Sequence, residues 1–178
     1  MHKNYFKLLL LSFFVAGCAV TSASVSQSRV KQLAFELNAL ESSIPSKEAM
    51  QLSRDIFKET AKLTKEFKLT SPPWFHNFLV NTGLREKGLC YHWSDALYIH
   101  FLKKSYPHFA FHLGGANIGE YWFEHNVLVV TAKNGKFEKG IVIDPWRDSG
   151  KLYFSKVKED TKYKWKHRQN REVCQNGK

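Results

Sequence analysis

The stretch that decides the fold runs from Glu124 to Trp146, "EHNVLVVTAKNGKFEKGIVIDPW". Two runs rich in β-branched residues flank a Gly-containing break, which is the pattern of a strand, a turn and a second strand. Asn134-Gly135 is the strongest short-range signal for a two-residue type I′ hairpin loop. With that loop, Lys133 pairs with Lys136, and His125 comes to face Asp144. Val127 then faces Val142 on the same side, while Leu128 and Ile141 fill the other. Directly opposed residues have Cβ atoms roughly 4.5–5.5 Å apart, close enough for an imidazole and a carboxylate to bond side by side. The register therefore predicts a His125–Asp144 pair at the open end of the hairpin. The same two residues could equally sit solvated there, and a slip in register would turn the pairing diagonal.

Outward from the hairpin, the period of the apolar positions divides the chain. Before Pro107 it is helical: Val30, Leu33, Leu37 and Leu40 recur at steps of three and four. A second helix is expected from an N-cap at Ser46 to about Lys68, with Leu52, Ile56, Leu63 and Phe67 inward. "TSPP" stops it, because Pro72 disfavours a helical Ser71. "WFHNFLVNTG" gives a short third helix, and "CYHWSDALYIHFL" a fourth. After Pro107 the period is two, in "HFAFHLGG" and then in the hairpin. "GKLYFSKV" and "KYKWKHR" follow as weaker strands. Helices first and an antiparallel meander afterwards define an α+β class, with N-terminal helices packed on the sheet.

The chain has 178 residues, enough for one sizeable core, and its 27 Lys and Arg against 16 Asp and Glu give a net charge of +11. Residues 1–17 read as a secretory signal: a basic start, then "LLLLSFFVAG", an apolar run too short to span a bilayer. Its end, "VAGC", resembles the lipobox of bacterial lipoproteins. That resemblance implies a lipidated Cys18 at the mature N-terminus and, since Ala19 follows, the periplasmic face of an outer membrane. Residues 18–28 read as a flexible tether with a reach of about 17 Å, and 29–178 as a single domain. Because the chain is exported, nucleic acid is not the expected partner for this positive charge, which favours anionic envelope surfaces.

Cys90 opens the fourth helix. There the unpaired backbone N–H groups and the helix dipole favour a thiolate, and Gly88 permits the turn that presents the sulfur. A nucleophile so placed needs a base and a group that orients it, and His125 and Asp144 have those chemistries.

The ordered stretches "GLCYHWSDAL", "EHNVLVV" and "GIVIDPW" resemble the transglutaminase-like branch of the papain-like cysteine superfamily. The longer pattern "PPWFHNFLVNTGLREKGLCYHW … EHNVLVVTA … DPWRDSG" also resembles a group of bacterial lipoproteins without an assigned substrate. The superfamily resemblance covers residues 72–150. It implies a papain-like fold and acyl transfer at an amide or peptide bond of an envelope protein or peptide, through a thioester and with no cofactor. In that scheme Cys90 is the nucleophile, His125 the base and then the acid, and Asp144 the orienting group. The Cys90 N–H would form half of an oxyanion hole. No Gln stands upstream for the other half, which leaves Asn77 and Asn81 as candidates.

Two other readings compete for the candidate site. Cys90 and Cys174 share an oxidising compartment and would form a disulfide if brought together, which would make the protein a non-catalytic binding lipoprotein on the same fold. Cys90-Tyr-His92 and His108-x-x-x-His112 are soft ligand sets, but neither has a common zinc spacing, so no metal is expected. Trp74, Trp93, Trp122, Trp146 and Trp165 suit core or cleft walls, with Trp146 nearest the site. "KYKWKHR" is either an edge strand guarded by lysines or a patch that docks on anionic envelope surface.

Overall fold

The computed structural model describes residues 26–169. Cys18 and Cys174 lie outside the described residues, as do the signal segment and most of the tether. Four helices precede the sheet: α1 Gln27–Asn38, α2 Ser46–Glu66, α3 Pro73–Asn81 and α4 Cys90–Leu102. The strands are β1 Phe109–Ala116, β2 His125–Ala132, β3 Ile141–Asp144, β4 Tyr153–Lys156 and β5 Lys166–His167. All pairings are antiparallel, in the order β4-β3-β2-β1-β5. The fold is α+β, with four helices and a five-stranded antiparallel sheet. No described helix is long and apolar enough to cross a membrane.

The sheet has two buried faces. Leu128, Val130, Ile141 and Ile143 face the helices, packed with Leu33 and Leu37 of α1, Leu52 and Ile56 of α2, and Trp93, Leu97 and Phe101 of α4. Val127, Val129 and Val142 face the other way, into a smaller core with Phe137, Val157 and Trp165. β2 is buried along its whole length, which is why it reads as a continuous apolar run rather than an alternation.

The structure corrects the hairpin. Val129 pairs with Val142, and Leu128 with Ile143, a register two residues from the one the Asn-Gly signal predicts. The turn closes from the Gly135 N–H to the Ala132 carbonyl at 2.9 Å, so Lys133 and Asn134 are its central residues. Neither Asn134 nor Gly135 has the positive φ that a type I′ turn requires. A short 3₁₀ turn, Phe137–Lys139, follows and buries Phe137 in the smaller core. Burial of that aromatic ring outweighs the local turn preference. A shift of two preserves every side chain's face, so Leu128 and Val127 keep the sides the sequence assigned them.

Smaller departures have local causes. Gln27 and Ser28, read as tether, are already helical, and Leu40 falls beyond α1. Ser46 is the first residue of α2 rather than its cap. Pro45 precedes the helix, and the Ser46 hydroxyl bonds to Asn38 Oδ1 at 3.4 Å. "KYKWKHR" contributes only the two-residue β5, because Trp165 turns into the smaller core.

Candidate active site

Cys90 is the first residue of α4, and three side chains hold the turn before it. His76 is fully buried. Its Nδ1 accepts from the Thr70 N–H at 3.2 Å, and its Nε2 donates to the Lys87 carbonyl at 3.0 Å. Desolvation by burial keeps that imidazole below its ordinary pKa, hence neutral. His92 Nδ1 accepts from the N–H groups of Gly88 and Leu89 at 3.1 and 3.2 Å, and so caps the helix from within. Trp93 Nε1 donates to the Gly88 carbonyl at 3.2 Å. Gly88 adopts φ +130°, and a Cβ there would meet His76 Nε2 at 2.0 Å. Only glycine satisfies both constraints.

His125 starts β2 and Asp144 ends β3. In the observed register they are diagonal rather than opposed neighbours, yet they share a face and His125 Nε2 lies 2.7 Å from Asp144 Oδ2. Both side chains are almost wholly buried. The rings of Trp146, Tyr163 and Trp165 stand 4.7, 4.8 and 5.4 Å from the imidazole. Trp146 is therefore beside the site, as its sequence position suggests. Nδ1 of His125 is buried with no hydrogen-bond partner. Burial alone would lower the His125 pKa. The Asp144 carboxylate, with a smaller push from Cys90, outweighs it and raises the value to about 9.

Cys90 is a half-buried free thiol. Its Sγ is 3.8 Å from the Glu124 carbonyl, to which it donates, and 3.8 Å from Asn126 Nδ2. Asn126 Oδ1 accepts from Arg168 at 2.9 Å, and Arg168 also pairs with Glu124. Burial would raise the Glu124 pKa, but the Gly119 N–H, Arg168 and Asn126 hold it below the ordinary value, as an anion.

Behind the pair lies a charged network that the sequence did not reveal. Arg147 Nε donates to Asp144 Oδ2 at 2.9 Å, and its backbone N–H donates to Oδ1 at 3.2 Å. The far end of the guanidinium is held by both oxygens of Asp160, at 2.6 and 3.3 Å. Asp160, also buried, accepts from Trp165 Nε1 at 2.9 Å and from the Lys162 N–H at 3.0 Å. The Tyr153 ring lies 3.7 Å under the guanidinium. Burial opposes the charge on Arg147, but Asp160 and Asp144 hold it firmly protonated. "DPWRDSG" contains Arg147, but only the tertiary fold brings Asp160 to it.

A cleft of about 560 Å³ opens over Cys90, bordered by Asn77 and Asn81 of α3 and by Tyr121 and Trp122 of the β1–β2 loop. Asn77 Oδ1 accepts from Trp146 Nε1 at 3.0 Å. That bond fixes the amide and turns its NH₂ away from Trp146. Three other histidines are engaged elsewhere: His108 with Glu48 at 2.6 Å, His112 with Thr131 at 3.0 Å and His100 with Glu59 at 3.3 Å. Among the described residues no three metal-ligating side chains cluster. No protein-family model, no curated protein and no solved structure matches this chain.

Proposed function

We propose that the protein is an envelope-anchored cysteine hydrolase or acyltransferase with a papain-like, transglutaminase-like arrangement, tethered through a lipidated Cys18 and acting on amide or peptide bonds. One observation carries this reading. His125, buried, bonds Asp144 through Nε2 and keeps Nδ1 uncommitted, while the Cys90 thiol stands at a helix start, 3.8 Å from the carbonyl of Glu124, the residue directly before His125. This is the constellation of an activated nucleophile, its base and an orienting carboxylate.

In the proposed cycle the Cys90 thiol passes its proton to His125 as the sulfur attacks the carbonyl carbon of the scissile amide, and the C=O electron pair moves onto oxygen. The Cys90 N–H and the Asn77 NH₂ are the donors for that oxyanion. Asn77 is favoured over Asn81 because Trp146 fixes its amide. The C–N bond then breaks, and His125 gives its proton to the departing amine, leaving a thioester on Cys90. Water or a second amine attacks the thioester, His125 removes the attacker's proton, and the sulfur leaves. Asp144 holds the ring throughout, and Arg147 and Asp160 hold Asp144.

The test is turnover of a library of peptide amides, with and without an added primary amine. The reading expects product that disappears in Cys90→Ala and falls by about two orders of magnitude or more in His125→Ala. Equal turnover in Cys90→Ala would overturn it.

A further inference from the structure

The surface around the cleft has a property that amide chemistry does not use. Tyr121, Trp122 and Phe123 on the β1–β2 loop are 86%, 79% and 69% exposed, and Trp74 and Phe78 on α3 are 70% and 55% exposed. Tyr121 and Trp122 border the Cys90 cleft, and Trp74 and Phe78 stand on α3, whose Asn77 and Asn81 border it too. The loop that carries three of them is firmly built. Asn117 Nδ2 bonds the Phe123 carbonyl at 3.1 Å, the Gly119 N–H bonds Glu124 Oε2 at 3.0 Å, and the Glu124 N–H bonds the Glu120 carbonyl at 2.7 Å. Exposed aromatic rings on a loop held in place beside a cleft suit an interaction site.

Where the chain enters the fold identifies the occupant. Arg29, in the first turn of α1, donates to the Leu152 carbonyl at 2.6 Å. Leu152 directly precedes Tyr153, which pairs with Asp144. The described chain thus begins at the end of the sheet that bears His125, Asp144 and the loop of Tyr121, Trp122 and Phe123. Eight peptide steps separate Cys18 from Ser26, at most about 28 Å when fully extended. A domain of this length is on the order of 35–40 Å across. A lipid on Cys18 would therefore hold this end, and not the opposite one, against the bilayer. Exposed lysines adjoin it: Lys87 beside Gly88, Lys151 beside Leu152, and Lys162 and Lys164 flanking the Tyr163 that packs on His125. Trp and Tyr side chains suit the head-group level of a membrane, and lysines are drawn to anionic lipid.

We propose that the rim of Trp74, Phe78, Tyr121, Trp122 and Phe123 docks on an anionic bilayer, so that the Cys90 cleft opens toward the membrane surface. The orientation argument rests on the lipidated-Cys18 reading. The docked cleft takes amide groups held close to the bilayer.

The experiment uses the full chain mixed with vesicles of phosphatidylethanolamine and phosphatidylglycerol that carry brominated acyl chains. Sedimentation reads anchoring, and tryptophan quenching reads docking. The expected result is chain in the pellet with quenched tryptophan, and at least half of that quenching lost in Trp74→Phe/Trp122→Phe, which still pellets. Pelleting without quenching overturns the docking and leaves the anchor standing, with the rim free for a protein partner. Quenching undiminished in the double variant overturns it as well. Failure to pellet overturns both docking and anchor. Neither result depends on turnover, so the enzymatic reading stands or falls separately.

Discussion

One face of the sheet carries two histidines in opposite states. His112, on β1, is half-buried, hydrogen-bonds the neutral Thr131 hydroxyl at 3.0 Å and has the His167 ring 4.8 Å from its own. Burial, with a small contribution from His167, pushes its pKa down to about 4. His125, at the open end of β2, is more deeply buried but bonds the Asp144 carboxylate, and its pKa is raised to about 9. Burial drives both rings toward neutrality. The carboxylate reverses the outcome at His125, and Arg147, itself held by Asp160, keeps that carboxylate oriented. At the His112 end the face is ordinary packing. At the His125 end it holds charges whose arrangement suits acyl-transfer chemistry.

Removing Asp144 is the largest way to break this contrast. Asp144→Ala leaves His125 and part of Arg147 unpaired in a dry site, and should cost about 3–5 kcal/mol in urea unfolding. Thr131→Val, at the other end, should cost no more than about 1 kcal/mol. Similar midpoints for the two variants would erase the distinction.

The pH dependence of stability sharpens it. A histidine raised from its ordinary 6.5 to about 9 stabilises the fold fully below pH 6.5, and that stability is lost as pH rises through about 9. His112, lowered to about 4, has the opposite sign: its contribution is present above 6.5 and is lost as pH falls through 4. Wild-type unfolding free energy should fall between pH 6.5 and 9.5 by on the order of 2 kcal/mol, with a flat profile there in His125→Gln. A wild-type profile that is itself flat over that range would mean that the imidazole is not held charged.

The smallest expected effect is at Trp146. Trp146→Phe keeps a ring beside His125 but frees Asn77, and should cost about 1 kcal/mol. Its larger consequence should fall on turnover through the loosened Asn77 amide. Unchanged turnover would remove Asn77 from the proposed oxyanion hole.

The switch from a helical period to a period of two is plain in the sequence, so the α+β class and the order of the elements were legible there. Cys90, His125 and Asp144 were legible too, for two different reasons. Cys90 has a local context, the Gly88 turn and the helix start. The His125–Asp144 pairing followed from a register that was wrong by two residues. It survived because a two-residue slip keeps the face and because a diagonal pair remains within side-chain reach. The slip itself was not legible, since burial of Phe137 is a tertiary effect that overrides the Asn-Gly preference. Arg147 and Asp160 were missed for the same reason: thirteen positions apart, they meet only once β4 has turned back on β3. The exposure of Trp122 was equally hidden, because an aromatic on a cleft rim and one in a core look alike in a sequence.

The most direct test of the central claim is the rate of iodoacetamide alkylation at Cys90, followed by mass spectrometry across pH in the wild type and in His125→Ala. A base that takes the thiol's proton speeds alkylation of the sulfur. The account predicts wild-type labelling near pH 6.5 that is about tenfold or more faster than in His125→Ala, with the gap closing as pH rises through 9. Equal rates in the two proteins across that range would contradict it and leave His125–Asp144 as a structural pair.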